Sequence, residues 1–410
     1  VKLDPKKHKW LASKPALRVF DALPSNSARF VGGCVRNAIL GAPVADYDIA
    51  TTETPEKVMR ALKGAGISVH ETGISHGTIT AVADKIVFEI TTLRKDVTTD
   101  GRRATVEFST DWNEDARRRD FTMNALYADP DGQIHDPTGQ GVADAKARRI
   151  RFVDDAHSRI EEDYLRILRF FRFFAWYGED TAMDKQGLDA CRELKTGLKT
   201  LSAERIWSET KKLLAAPSPH RTVNVMLING ILETLLPEAS NSEGLQRLIE
   251  IEPEAGVKPD PYLRLMAMAA RDEFAIAGLC RRLKMSNAEK KRLVLWAADR
   301  TELAPGQPDK ETKIMLYNAG RHVAMDRAVL RAAGADDPIV RNGWLSVYDI
   351  ARTWEWPEFP LSGKDIIKAG VPSGEKVGKA LTALEALWVR SGFHADKKRL
   401  LAALTLIHRA

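Results

Sequence analysis

Three cysteines in 410 residues, Cys34, Cys191 and Cys280, are too few and too scattered for a disulfide framework or a structural zinc site. That scarcity suits a reducing compartment, read here as the cytoplasm. No apolar run approaches the ~18 residues of a membrane span, so no membrane contact is expected. No internal repeat is visible, which excludes a solenoid array, and no low-complexity tract interrupts the chain. The segment Val1 to His8 is basic without an apolar stretch behind it, unlike a secretory signal. Nor is charge of one sign in large excess: a net +6 permits a nucleic-acid partner without requiring one.

What is present is length enough for two to four domains and an uneven distribution of pattern. The first third alternates strand and helix signals. Arg29–Gly33 and Asp46–Thr51 read as strands around a helix over Cys34–Leu40. Thr54–Gly64 reads as a helix opened by Thr-Pro-Glu. Gly77–Val82, Lys85–Leu93 and Val106–Ser109 read as further strands, and Asp120–Ala128 as a helix. Beyond about residue 150 the periodicity is helical over Glu161–Tyr177, Ala203–Ala215, Thr222–Leu236, Tyr262–Phe274, Ala288–Ala298 and Ala395–Arg409. Ala304–Asp309 and Trp354–Pro360 read as linkers. The expected fold class is α+β: a small mixed sheet with helices, followed by all-α segments.

Chemistry concentrates in four places. Gly32-Gly33 lets backbone approach a phosphate, and the following helix offers it an N-terminus, with Arg36 in the first turn. Asp46 and Asp48 are two apart, so on a strand both carboxylates leave one face. Such a pair suits Mg²⁺ shared with substrate phosphates; two such ions about 3.5–4 Å apart can assist both the attacking and the leaving oxygen. Taken alone, an Asp-x-Asp also suits a solvated strand end. Glu89, an acid in an otherwise apolar strand, could bring a third carboxylate beside the aspartates, and surface exposure is its alternative.

Arg118-Arg119-Asp120 gives forked donors for phosphate or ribose oxygens, with Asp120 as a helix cap and Asn124 one turn along. In Glu161–Arg172, charges recur at Asp163, Arg166, Arg169 and Arg172 within an apolar helix. At ~100° per residue each step of three drifts back by about 60°. Asp163 and Arg166 would then share a face, suited to a base edge, with Arg172 turned almost opposite. An ion-pair stripe is the plainer reading.

These segments in this order resemble the class II tRNA nucleotidyltransferase family of CCA-adding enzymes and bacterial poly(A) polymerases. The motifs are Gly-Gly-x-Val-Arg with Asp46-Tyr47-Asp48, Arg118-Arg119-Asp120-Phe-Thr-x-Asn-Ala, Glu162-Asp163-x-x-Arg166-x-x-Arg169, and Ala203-Glu-Arg-Ile-Trp-Ser-Glu209. The resemblance implies a nucleotidyltransferase head (22–147), a base-recognising neck (148–216), a body (217–330) and a tRNA-binding tail (331–410). It implies Asp46, Asp48 and Glu89 as catalytic carboxylates, the aspartates holding two Mg²⁺ ions. Gly32, Gly33, Arg36 and Arg119 would meet the triphosphate and sugar. Asp163 and Arg166 would read the incoming base, and Arg169 and Arg172 would serve the nucleotide site. Asp96–Arg103, including Asp96 and Arg102, resembles the loop that helps such enzymes switch from CTP to ATP. One departure is Asn37, where the family usually has Asp.

The activity implied is addition of CCA to tRNA from CTP and ATP, with attack of the 3′-hydroxyl on the α-phosphate and release of pyrophosphate. The alternatives are a poly(A) polymerase and a catalytically silent RNA-binding protein. Nine Lys or Arg against four Asp or Glu in Leu361–Ala410 make the C-terminal end basic, and Lys376 and Lys379 are its candidate contacts to the tRNA elbow. No obligate protein partner is expected.

Overall fold

The computed structural model describes residues 1–74, 77–98, 105–179 and 183–407. They form two compact units, Val1–Pro237 and Glu238–Ala410. The first begins with α1 (Lys14–Ala22), β1 (Ala28–Val31), α2 (Gly33–Leu40), β2 (Tyr47–Thr51) and α3 (Pro55–Gly64). Then come β3 (Ser68–Gly73), β4 (Thr78–Ala83), β5 (Ile86–Thr92), β6 (Arg94–Thr98), β7 (Thr105–Phe108) and α4 (Trp112–Arg117). Short strands β8 (Tyr127–Ala128) and β9 (Ile134–His135) precede α5 (Gly141–Lys146), α6 (Ala156–Glu162), α7 (Leu165–Tyr177), α8 (Lys185–Glu193) and α9 (Ala203–Leu214).

Seven strands make one mixed sheet in the order β3-β4-β5-β2-β1-β8-β9. Among the described residues only β2 and β5 run parallel, with Tyr47 opposite Phe88, Asp48 opposite Glu89 and Ile49 opposite Ile90. Strand alternation sends Phe88 and Ile90 into the core and leaves Glu89 on the other face. The β4–β5 hairpin turns through Asp84 and Lys85, both at positive φ, the conformation that matches the strands' twist. The chain start adds to the far edge: Leu3 donates to the Gly132 carbonyl at 2.8 Å. A Cβ at Gly132 would lie 2.1 Å from the Leu3 oxygen, so only glycine permits that approach. The ribbon β6–β7 stands apart as a two-stranded sheet. Residues 99–103 of the expected switching loop, Arg102 among them, lie outside the described residues, whereas Asp96 belongs to β6.

Two expectations fail in ways that matter. Asp120–Ala128 is not a helix but a 3₁₀ turn over Thr122–Asn124 followed by β8. Ala125, Leu126, Tyr127 and Ala128 are all fully buried, and burial on every side suits a strand seated against β1 better than an amphipathic helix. The arginines therefore leave a helix, α4, rather than enter one. Glu161–Tyr177 is likewise two helices: Asp163 is extended (φ −156°, ψ 101°) between α6 and α7. Further on, Thr222–Leu236 breaks at Gly230, with φ 69°, into His220–Ile228 and Ile231–Leu235.

The second unit is helical. Its core helix Arg321–Ala333 buries Ala324, Ala328, Val329 and Ala332. The segment expected over Tyr262–Phe274 ends at Met268, and a new helix starts at Glu273, capped by Asp272. Trp354–Pro360 is irregular yet packed: Trp356 stacks on Tyr317, and Phe359 packs at a tilt against Trp388. Among the described residues no helix is long and apolar enough to cross a membrane.

Candidate active site

Gly32 links β1 to α2 at φ 69° and ψ −116°, a backbone that a side chain would strain. A Cβ there would lie 3.6 Å from the Arg119 Nη1, ordinary van der Waals contact, so Arg119 packs directly over the turn and the positive φ is what calls for glycine. Cys34, buried behind this turn, donates its thiol to the Val31 carbonyl (3.4 Å) and, more weakly, to the Asp48 carbonyl (3.8 Å). Burial, then the nearby Asp48, pushes that thiol up to about 12.

Across the turn lie the carboxylates. Asp46 is exposed just before β2, Asp48 is half-buried within it, and Glu89 is exposed in register on β5. Burial first, then repulsion from Glu89 and Asp46, raises the Asp48 carboxyl above its ordinary value, against the pull of Arg119 and Arg36. Among the described residues no three His, Cys, Asp or Glu side chains close into a metal-holding group. The donor set still fits a hard cation: oxygen-only, partly exposed, and carrying negative charge that its own arginines leave unbalanced. Such an ion would rest on Asp46 and Asp48 and complete its shell with substrate oxygens.

Besides Asn124 and Asn37, the arginines are held by Asp115, Tyr127 and Tyr177, which stand outside the sequence motifs. Arg119 donates from Nε (3.1 Å) and Nη2 (2.9 Å) to Asp115 Oδ2, and from Nε to the Tyr127 hydroxyl at 3.3 Å. Tyr127 in turn donates to Asp115 Oδ2 at 2.7 Å. Burial pushes Asp115 up, but Arg119, Arg118 and the Tyr127 hydroxyl outweigh it and hold the carboxyl at about 2. Arg36 is buried, with Nη1 donating to Asn124 Oδ1 at 2.6 Å and Nη2 to the Tyr177 hydroxyl at 2.9 Å. Its Nε and Nη2 also reach Asn37 Oδ1, while Asn37 Nδ2 donates to the Pro43 carbonyl at 2.8 Å. Asn37 thus uses both ends of its amide, and every direct partner of Arg36 here is neutral. Burial lowers the Arg36 pKa, an effect only partly offset by Tyr177 and Asp120.

Asp120 ties this cluster to α7. It accepts from Phe121 N and Asn124 Nδ2 (both 2.9 Å) on one oxygen and from Arg169 Nε (2.7 Å) on the other. Asp163 accepts from Arg205 Nη2 of α9 at 2.6 Å and from Leu165 N at 3.1 Å, so the break in the helix is pinned from two sides. Arg166 donates to Glu162 (2.6 Å) and to the carbonyls of Arg159 (2.8 Å) and Arg118 (3.0 Å). Arg172 faces Glu209 at 3.0 Å and lies over Phe173. The structure thus gathers Asp48, Arg36 and Arg119 around the Gly32–Gly33 turn, with Glu89 beside Asp48 on β5. Arg169 joins them through Asp120, and Asp163 and Arg166 stand at the α6–α7 break. Lys376 and Lys379 belong to the second unit, on the exposed start of the helix Glu375–Arg390.

A family model described as the poly A polymerase head domain matches residues 28–151. A second, the probable RNA and SrmB-binding site of polymerase A, matches 182–242. A mitochondrial CCA tRNA nucleotidyltransferase 1 from Mus musculus is 36% identical over 385 residues, 93% of this chain and 87% of the relative. Its counterpart from Danio rerio is 35% identical over 92% of this chain and 86% of its own length. Among solved structures, the Bacillus stearothermophilus CCA-adding enzyme in complex with CTP superposes with a TM-score of 0.76 at 28% identity, covering 97% of both chains. With that identity sustained along nearly its whole length, the chain belongs to the CCA tRNA nucleotidyltransferase family.

Proposed function

We propose that this chain adds C, C and A to the 3′ end of tRNA from CTP and ATP, forming a phosphodiester at each step and releasing pyrophosphate. The observation that carries it is similarity to a CCA tRNA nucleotidyltransferase over 93% of the chain, combined with Asp48 on β2, whose carbonyl accepts from Cys34 directly behind the Gly32–Gly33 turn. Bound Mg²⁺ would lower the pKa of the attacking hydroxyl and neutralise the leaving pyrophosphate. The turn and the α2 N-terminus receive the phosphates through backbone N–H groups. Arg36 and Arg119 add charge, each held rigid so that little reorganisation is needed as negative charge develops. Asp163 and Arg166 select the base by hydrogen bonding to its Watson–Crick edge, Arg169 anchors the neck helix to Asp120, and Arg172 stands behind it against Glu209.

Glu89 supports the metal-facing charge from the neighbouring strand, and Asp96 and Arg102 belong to the nucleotide-switching loop. The proposal keeps the four-part division into head, neck, body and tail, with tRNA contacts at Lys376 and Lys379. It places the reaction in a reducing, cytoplasmic setting, which three buried, unpaired cysteines favour. A poly(A) polymerase is the second reading, favoured by the description of the matching head-domain model. The test is incorporation into tRNA ending just before CCA, with CTP alone, ATP alone and both. Two additions with CTP and three with both establish CCA addition. Long tails with ATP alone make it a poly(A) polymerase, and no addition under any condition overturns both.

A further inference from the structure

Arginine is concentrated in the second unit around a single carboxylate. Asp299 Oδ2 accepts the Arg327 Nη1 and lies 3.9 Å from the Arg271 Nη2. Arg271 otherwise reaches only backbone, the carbonyls of Trp296 (2.9 Å) and Asp299. Arg300 donates to the carbonyls of Ala297 (2.6 Å) and Asp299 (3.2 Å). One carboxylate therefore serves a group of cations. Burial, then Arg327, lowers the Arg271 pKa; Asp299 opposes them, and Arg300 and Arg331 depress it further.

These side chains border a cavity of about 280 Å³ whose wall includes Arg247, Arg271, Trp296, Arg327, Leu330 and Arg331. Arg327 is 8% exposed; its Nη1 also donates to the Thr301 carbonyl at 2.8 Å, and its Nε–H is buried with no acceptor among the described residues. A buried guanidinium N–H without a partner is expensive. The exposed Arg331 side chain makes no hydrogen bond or ion pair among the described residues. Arg247, on the same wall, is already matched by Glu243 (2.8 Å) and Asp336 (2.6 Å). The floor is apolar, with Met266, Ala267 and Leu330, and a poorly polarisable floor strengthens the field of the arginines above it.

We propose that this cavity is an anion site for a phosphate group, with Arg271, Arg327 and Arg331 as its donors. Forked guanidiniums match tetrahedral phosphate oxygens better than single ammonium groups do. The phosphate comes either from an RNA backbone or from a free ion such as pyrophosphate. Only the first source rests on tRNA being the substrate, and CMP incorporation by the same preparation checks that separately.

The experiment uses the full chain and two variants, Arg331→Gln and Arg271→Lys. The first alters an exposed side chain, so folding is not at stake, and the second keeps charge but loses the fork. Arm one measures tRNA affinity against salt. An RNA phosphate at the site predicts about 3- to 10-fold weaker binding for Arg331→Gln and a salt slope smaller by about one, with KM for CTP unchanged. Arm two measures thermal stabilisation by inorganic pyrophosphate without Mg²⁺, with excess CTP present in all samples to fill the nucleotide site. A free ion predicts a shift for the native chain that at least halves in both variants, with tRNA binding intact. Native-like behaviour of both variants in both arms overturns the proposal.

Discussion

Asp48 carries charge that its protein neighbours leave unbalanced, and this has consequences for stability as well as for reaction. Its carboxyl is raised on folding, by burial and then by Glu89 and Asp46. The folded state therefore favours the protonated form: this group's contribution is fullest below the unfolded value of about 3.9 and is lost as pH rises through the folded value. Asp48→Asn removes that loss. In metal-free buffer at pH 7 its melting temperature should match or exceed that of the native chain, and Mg²⁺ should stabilise the native chain more. Incorporation should fall by more than about 100-fold, since even outer partners of metal ligands are worth 10–100-fold. A variant that melts lower yet still adds nucleotides would contradict the assignment. Asp115 runs the other way. Its carboxyl sits at about 2 because Arg119 and Arg118 outweigh burial, so its stabilisation is complete above about pH 4 and fades as pH falls toward 2. Asp115→Ala leaves the half-buried Arg119 guanidinium, 19% exposed, without its carboxylate partner and should cost about 3 kcal/mol in denaturant unfolding.

At the scale of elements, the α6–α7 break is the feature that sequence periodicity could not reveal. A spacing of three in Asp163, Arg166, Arg169 and Arg172 is as compatible with one helix as with two. What divides them is tertiary: Arg205 on α9 holds Asp163 in an extended backbone. Arg205→Ala should release Asp163 and lower the preference for CTP over UTP, read as a ratio of kcat/KM, by at least about 5-fold. Unchanged selectivity would show that Asp163 needs no such anchor. The same limit explains Asp120–Ala128, whose full burial depends on β1 and is invisible in local propensity. By contrast the Gly32–Gly33 turn, the strand carrying Asp48 and the helix opened by Thr54-Pro55 were legible, because glycine, alternation and Pro at a helix start act locally. Asp115 and Tyr127 were not, because their role is defined only by Arg119 folding back across them. In the helix Glu375–Arg390, Lys379 is paired with Glu375 at 2.8 Å, while Lys376 makes no ion pair among the described residues. Replacing Lys376 and Lys379 by Ala should weaken tRNA binding and reduce its salt slope by one to two charges, about one from Lys376 alone.

For the whole molecule, two compact units imply two cooperative blocks, and the proposed nucleotide site lies within Val1–Pro237. Calorimetry should resolve two transitions, with CTP and Mg²⁺ raising one alone. At a hundredfold excess over Kd the gain is about 2.7 kcal/mol. Movement of both transitions together would mean that the units unfold as one. The Cys34 thiol provides a finer probe. It lies 1% exposed beneath the carbonyl of Asp48, with its pKa pushed up to about 12. Alkylation at pH 8 requires both exposure and deprotonation, so the closed protein is inert there. The labelling rate of that one cysteine, followed by peptide mass, therefore counts how often the catalytic strand lifts away from the phosphate turn. Slowing of that rate by CTP would make the native chain its own clock for the breathing of its active site.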